Sequence, residues 1–370
     1  MSPSIREIIE HYNASASLAD AHAPPGGWYT DPQIFELERR TVFGRSWLMV
    51  GRADQLRDPG QYITCELAGE SILVIKGKDR ILRGFFNVCR HKGAAIVTEA
   101  EGRAQNLRCP YHGWTYTLEG SLKGTPDFAG VQNFEPGENG LIPVQTSVWQ
   151  GWVFVNLESG GPSLEQFLGA DLSGRIQRLK LENLHWVERR HYTLECNWKV
   201  FVDNYLDGGY HVPHLHGALD SVLDYSQYTI ENGERFCLQS SPVVNGRGDS
   251  TTAAVRKGER AQYYWIYPNF MINGYEGILD TNLVVPRAVD RTEVIFDFYF
   301  ADVSALAREQ NLASIAVSER IQNEDAEICN SVQRGLASRS HRPGRLSVRR
   351  EAGEHLFHRL LYFDLKAGLE

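Results

Sequence analysis

No run of apolar residues in this chain approaches the length needed to cross a bilayer, so no membrane-spanning role is expected. The opening stretch, MSPSIREIIEHYN, lacks the apolar core of a secretory signal, and a cytoplasmic protein is the expectation. Cysteine is scarce. The six residues Cys65, Cys89, Cys109, Cys196, Cys237 and Cys329 are too few to staple a chain of 370 residues. Positive charge is in deficit, with 38 Lys and Arg against 46 Asp and Glu and a formal net charge of -8. That excludes the basic footprint of a nucleic-acid binder and the polybasic patch of a membrane-surface protein. Internal repeats and low-complexity tracts are also missing. What is there, 42% hydrophobic and 23% charged residues, is the composition of an ordinary globular protein. The length predicts two domains rather than one.

Ile5, Ile8 and Ile9 recur at helical spacing and predict a short docking helix. The Pro24-Pro25-Gly26-Gly27 run is a loop, and Asp31-Pro32 opens a further helix. Residues 1–45 are read as helices that pack on the C-terminal domain. From Ser46 the texture turns β-rich, with short runs at 61–66, 71–75, 82–88, 107–108 and 115–117. Gly, Asp and Asn punctuate them, and a strand at 149–157 closes a small all-β unit over 46–158. Gly160-Gly161-Pro162 is the linker candidate. A helix is expected over 163–181. Strand-like segments follow at 186–194, 235–239, 262–267, 281–285 and 292–300, flanked by helices near 197–207 and 306–336. Strands and helices in separate blocks predict an α+β domain over 159–370, an antiparallel sheet with helices on one side.

Two of the cysteines sit beside histidines. Cys89-Arg90-His91 and Cys109-Pro110-Tyr111-His112 form a C-x-H and a C-x-x-H pair with seventeen residues between them. Each pair follows a strand, so both can lie at loop tips that face each other. This is the ligand set of a Rieske [2Fe-2S] centre, in which thiolates hold one iron and imidazoles the other. Zinc also accepts two Cys and two His. Zinc ribbons and fingers, however, prefer paired cysteines followed by paired histidines, so the cluster is the preferred reading.

A second constellation lies about a hundred residues on, in DNYLDGGYHVPHLH. His211 and His216 can supply the two nitrogens of a two-histidine, one-carboxylate iron site that leaves positions open for O₂. His214 lies between them and could replace His216. Asp207 precedes His211 by four residues, one helical turn if the helix persists, which suits an acceptor for the ring N–H of His211. The carboxylate ligand must come from elsewhere, and Asp325 in IQNEDAEIC is the candidate. Alone, an acidic pair on a helix reads as a solvated face; the upstream cluster motif is what promotes it.

With these residues in view, the chain resembles the Rieske non-haem iron oxygenase large (alpha) subunits, and within them the choline monooxygenase-like branch. The likeness runs through PPGGWYTDP, NVCRHKGA, CPYHGWTYTLEGSL, CNWKVFVDNYLDGGYHVPH, YPNFMINGY, DTNLVVP and EDAEICNSVQRGL, nearly the whole length. The resemblance implies that Cys89, His91, Cys109 and His112 ligate the cluster and that His211, His216 and Asp325 ligate mononuclear Fe(II). It implies that Asn204 lies near that iron and that Asp207 bridges the two centres. It also implies a helix-grip catalytic domain, a head-to-tail homotrimer, and a separate NAD(P)H-dependent reductase or ferredoxin. Two departures stand out. Three residues separate Asp207 from His211, where the common family spacing has two. Gly274-Tyr275-Glu276-Gly277-Ile278 also lacks the Arg and Pro-Trp pair of the plant choline enzymes.

The function this implies is hydroxylation of a small molecule with O₂ and external electrons, with a quaternary ammonium or N-methyl compound as substrate. Such a cation is held by aromatic faces. Tyr263, Trp265 and Tyr267 alternate along one expected strand and so share a face. Packing of a sheet core is the plainer reading of them. Glu276 is either a counter-charge or a surface loop residue. The competing functions are an aromatic-ring hydroxylating oxygenase of the same superfamily and, more remotely, a Rieske electron carrier or a zinc-binding protein. More than two hundred residues beyond the cluster unit argue against the carrier.

Overall fold

Short runs broken by glycine and asparagine give antiparallel strands joined by tight turns, and the described residues build three sheets this way. The computed structural model describes residues 3–244 and 250–370. They divide into two compact units, Phe43–Phe167 and the combination of Met1–Val42 with Leu168–Glu370.

The smaller unit is all β. Seven strands run antiparallel in the order Leu48–Arg52, Trp152–Asn156, Pro143–Trp149, Leu82–Phe86, Glu70–Lys76, Gln61–Leu67, Glu101–Arg103. A second sheet of three short strands, Leu107–Arg108, Thr115–Tyr116 and Leu122–Gly124, carries one of the Cys-His loops. The strand expected at 149–157 is present as Trp152–Asn156, the second arm of a hairpin whose first arm is Pro143–Trp149. Gln150 (φ 53°) and Gly151 (φ 85°) turn the chain back on itself. Two successive positive φ values match the twist of the flanking strands, but apolar residues on both sides hid the turn. The unit ends beyond the Gly-Pro loop, because Trp47 Nε1 donates to the Pro162 carbonyl at 2.8 Å.

The larger unit begins with short helices. Ser4 and Glu7 cap Ile5–Glu10 reciprocally, and Asp31 caps Pro32–Glu38. The helix expected over 163–181 is interrupted. Gly169 takes φ 77°, a left-handed value that ends Leu164–Leu168 before Ala170–Ile176 begins. Seven antiparallel strands follow, in the order His185–Leu194, Arg291–Phe300, Ile278–Ala288, Phe270–Tyr275, Arg260–Ile266, Phe236–Pro242, Thr229–Asn232. The strand Phe270–Tyr275 escaped sequence reading because its Asn-Gly looks like a turn. In the sheet it is central, bonded on both edges.

Three helices matter for the site: Trp198–Leu206, the long helix Arg308–Leu336, and the C-terminal helix Ala352–Ala367, which had no sequence counterpart. Trp198–Leu206 is wedged in place by a fully buried ion pair. Lys199 Nζ donates to Glu38 at 2.5 Å, and Trp198 Nε1 donates to the same carboxylate at 2.8 Å. Removing one partner would strand a buried charge. The helix lies against both the long helix and the strand Ile278–Ala288.

Candidate active site and metal centres

The two Cys-His segments of the smaller unit fold into loops of the same build. In the first, Cys89 N–H donates to Ala94 O (2.8 Å) and Gly93 N–H to Cys89 O (2.9 Å). In the second, Cys109 N–H donates to Trp114 O (2.8 Å) and Gly113 N–H to Cys109 O (3.1 Å). Gly93 and Gly113 take φ 76° and 73°, so each loop needs glycine four residues after its cysteine. The histidine falls at a different step, two after Cys89 and three after Cys109. The result brings the His91 and His112 rings to 4.8 Å and buries both thiols. Trp114 stacks on His91 at 4.8 Å and 6°. Tyr116 Oη lies 3.3 Å from Cys89 Sγ and accepts from Arg90 N–H at 3.0 Å. His91 Nδ1 is buried without a hydrogen-bond partner, an orphan that suits a metal-binding nitrogen. Two thiols and two imidazoles at facing loop tips fit a [2Fe-2S] group held through both residue types.

In the larger unit His211, His216 and Asp325 present ligand atoms all within 4.8 Å of one another. The second nitrogen of each ring is already engaged. His211 Nδ1 pairs with Asp207 Oδ2 at 2.7 Å and His216 Nδ1 with Glu324 Oε2 at 2.6 Å. That leaves both Nε2 atoms turned to Asp325 Oδ1, at 3.8 Å and 3.0 Å. Carboxylates behind each imidazole fix its tautomer and strengthen it as a ligand. His216 is 1% exposed, and burial disfavours its charged form. Asp325 and Glu324 outweigh that and raise its pKa above the ordinary value, as expected where a cation is wanted. Asn204 Nδ2 donates to Asp325 Oδ1 at 2.7 Å. The donor set therefore fits a mononuclear iron with open positions.

How Asp207 reaches His211 differs from expectation. The helix does not persist: it ends at Leu206, and Gly208 and Gly209 both take φ 68°. A Cβ on Gly208 would meet Arg350 O at 2.2 Å. The left-handed pair turns the chain so that Asp207 accepts from the His211 backbone N–H (3.0 Å) as well as meeting its ring. The extra residue in the spacing is thus absorbed by a Gly-Gly turn. His214, by contrast, is exposed on the short helix Val212–Leu215 and stays outside the ligand group.

Beside these ligands is a cavity of about 120 Å³, small against the several hundred Å³ of drug-sized sites. Tyr205, Tyr228, Tyr263 and Tyr275 line it together with Phe201 and Phe296. Of the three aromatics expected to share a face, only Tyr263 lines the cavity. Trp265 packs on Phe357 of the C-terminal helix (5.3 Å), and Tyr267 donates to Asp364 there (2.5 Å). That helix covers the strand end, so both rings are core. Glu276 is exposed in a turn. Tyr205, Tyr228, Tyr275 and Glu324 were missed by sequence reasoning. Glu324 had a signal, the acid pair with Asp325; the tyrosines come from separate elements and had none.

Comparison with known proteins agrees with this geometry. Residues 46–135 match the Rieske [2Fe-2S] domain, and residues 181–362 match the ring hydroxylating alpha subunit (catalytic domain). The chain belongs to the Rieske oxygenase alpha subunits: it is an oxidoreductase whose Rieske domain binds a [2Fe-2S] cluster and whose catalytic domain binds a mononuclear iron. Within that family it is homologous to the choline and carnitine monooxygenases. It is 37% identical to the chloroplastic choline monooxygenase of Arabidopsis thaliana, over 98% of this chain and 87% of that one. It is 30% identical to the carnitine monooxygenase oxygenase subunit of Escherichia coli (strain K12), over 89% of this chain and 88% of that one. A solved quaternary ammonium Rieske monooxygenase in complex with L-carnitine superposes with a TM-score of 0.81 at 28% identity, over 95% and 96% of the two chains. Naphthalene 1,2-dioxygenase from Rhodococcus sp. shares the fold, with a TM-score of 0.81 at 20% identity. As a Rieske oxygenase the protein draws electrons from a separate reductase or ferredoxin and consumes O₂. No helix among the described residues is long and apolar enough to cross a membrane.

Proposed function

We propose that this protein is the oxygenase component that hydroxylates a small quaternary ammonium or N-methyl compound. The observation that carries the reading is the pairing of two imidazole Nε2 atoms and one carboxylate with a cavity walled by four tyrosines. Tyrosine faces attract a cation that cannot accept hydrogen bonds and has only methyl groups to show. The curated relatives named for choline and carnitine support the same class.

Cys89, Cys109, His91 and His112 would hold the cluster, and His211, His216 and Asp325 would hold the iron. When bound and reduced, these groups would supply two electrons and the chemistry that activates dioxygen beside the substrate. Asp207 and Glu324 keep each imidazole turned so that Nε2 faces the metal position. Asn204 steadies Asp325 by donating to Oδ1. The aromatic wall presents a C–H bond next to nitrogen, or the alcohol carbon of choline, toward the iron ligands and keeps bulk water away. Tyr111 is 63% exposed beside His112 at the chain surface. This supports electron exchange across a subunit boundary, with Asp207 as the bridging acid of a homotrimer. The four cysteines outside the cluster, none of them in a disulfide, suit a reducing compartment such as the cytoplasm.

The test is a single turnover. Iron-loaded protein is reduced without oxygen, freed of reductant, and mixed with O₂ and one compound at a time: choline, glycine betaine, carnitine, or a simple aromatic acid. Near-stoichiometric aldehyde or formaldehyde from an ammonium compound is the expected result. Product from the aromatic acid alone would favour ring hydroxylation instead. Sedimentation of the holoenzyme checks the trimer.

A further inference from the structure

The cavity wall holds more polarity than a bare ammonium needs. Arg256 and Asp280 both line it and are both buried, at 3% and 4% exposure. The guanidinium is anchored by hydroxyls: Nη1 donates to Ser314 Oγ and Nη2 to Ser318 Oγ, each at 2.6 Å. The guanidinium also lies over the Tyr275 ring, 4.8 Å from its centroid. Among the described residues no carboxylate forms an ion pair with it, and its Nε is buried without a partner. Asp280 instead accepts from Asn273 Nδ2 (2.6 Å), Asn282 Nδ2 (3.4 Å) and Ser318 Oγ (3.4 Å). Burial pushes the Asp280 carboxyl up, against the pull of Arg256, which weakens it as a counter-charge. Gln322 is 2% exposed, lines the same cavity, and has its Nε2 buried without a partner. Among the described cavity residues, the buried side-chain atoms left unpartnered are therefore both nitrogen donors. Buried donors of this kind call for an acceptor.

The long helix places these donors at a measured step from the iron ligands. Ser314, Ser318, Gln322 and Asp325 follow at spacings of four, four and three, on one helical face. At 1.5 Å per residue, Gln322 lies about 4.5 Å and Ser318 about 10.5 Å from Asp325 along the axis. A short N-methylated amino acid spans a distance in this range between a methyl group and its carboxylate.

We propose that Arg256 and Gln322 form an anion-binding end of the cavity, so that the substrate is a zwitterion. Its ammonium methyls lie over Tyr205 and Tyr228, toward the iron ligands, and its carboxylate lies at Arg256 and Gln322, where Tyr275 already carries the guanidinium. This rests on the quaternary-ammonium reading and narrows it away from choline, which has no anion to offer. A zwitterion adds no net charge to the buried site. A lone cation would enter beside an under-compensated guanidinium, and both charges would remain poorly solvated.

The test uses the cluster- and iron-loaded protein. Calorimetry measures binding of γ-butyrobetaine and of glycine betaine, each against its own methyl ester, with choline as a third ligand. At least one carboxylate is expected to bind about tenfold or more tightly than its ester. R256Q is expected to bring that ratio toward one, and Q322L to lower it by a smaller factor, in protein that keeps its cluster absorption and unfolding temperature. Should R256Q fail to fold, the wild-type ratio and Q322L still decide the matter. Esters and choline binding as tightly as the carboxylates would overturn the anion end. If those compounds are turned over, the quaternary-ammonium reading survives that loss. No turnover of any ammonium compound overturns the reading and the anion end together.

Discussion

The two metal centres are built by opposite means. In the smaller unit, the four candidate cluster residues lie within 24 positions on two loops of one design, each closed by its own backbone and a left-handed glycine. In the larger unit, His211 and His216 come from a turn and two short helices, whereas Asp325 arrives on a helix more than a hundred residues later. Local hydrogen bonds fix the first arrangement. Packing of Trp198–Leu206 against the long helix fixes the second. A centre of the first kind tolerates change elsewhere in the fold. A centre of the second kind depends on how distant elements meet.

That contrast can be broken most sharply by a pair of substitutions. C89S is expected to abolish the red-brown cluster absorption and D325A to leave it intact, while each reduces multiple turnover to background. Visible spectra and iron content check this. Retention of the full spectrum in C89S would remove Cys89 from the cluster. The glycines give the next largest effect. G208A forces a side chain into left-handed backbone and against Arg350 O. It should cost more than about 2 kcal/mol and loosen bound iron. G93A takes the same kind of φ with nothing within 4 Å, so about 1 kcal/mol is expected. Denaturant titration compares the two, and equal losses would contradict the open surroundings of Gly93.

Smaller again is D207N, which keeps the size of the Asp207 side chain but removes the charge behind His211. A fall in turnover of about 10–100-fold is expected with iron retained. Iron analysis beside steady-state rates separates this from ligand loss. E324Q leaves a hydrogen-bonding partner at His216, so a decrease nearer the bottom of that range, about tenfold, is expected in iron affinity. No change at all would mean that burial alone orients His216.

Sequence reading and structure part company along the same line. Both Cys-His loops are legible because ligand and glycine spacing are local properties. The helix boundaries around Trp198–Leu206 and Arg308–Leu336 are legible from apolar periodicity. The hairpin at Gln150-Gly151, the break at Gly169 and the central strand Phe270–Tyr275 are not. In each, a glycine sits where apolar context or a turn-like pair pointed to another conformation. The aromatic segment shows this most clearly. Tyr263 and Trp265 share a strand face, yet one lines the cavity and the other meets Phe357, because strand period says which face a side chain takes but not what covers it.

By itself, then, the sequence marked the candidate cluster residues, the candidate histidines and acid, the all-β and α+β fold classes and the chemistry class, all through residue type and short spacing. Tertiary structure alone decided that His216 rather than His214 joins the ligand group. It also turned Asp207 to His211 through a glycine pair, and brought Tyr205, Tyr228, Tyr263 and Tyr275 with Arg256 and Gln322 around one cavity. Those choices depend on which distant surfaces exclude water together, and no local spacing encodes that.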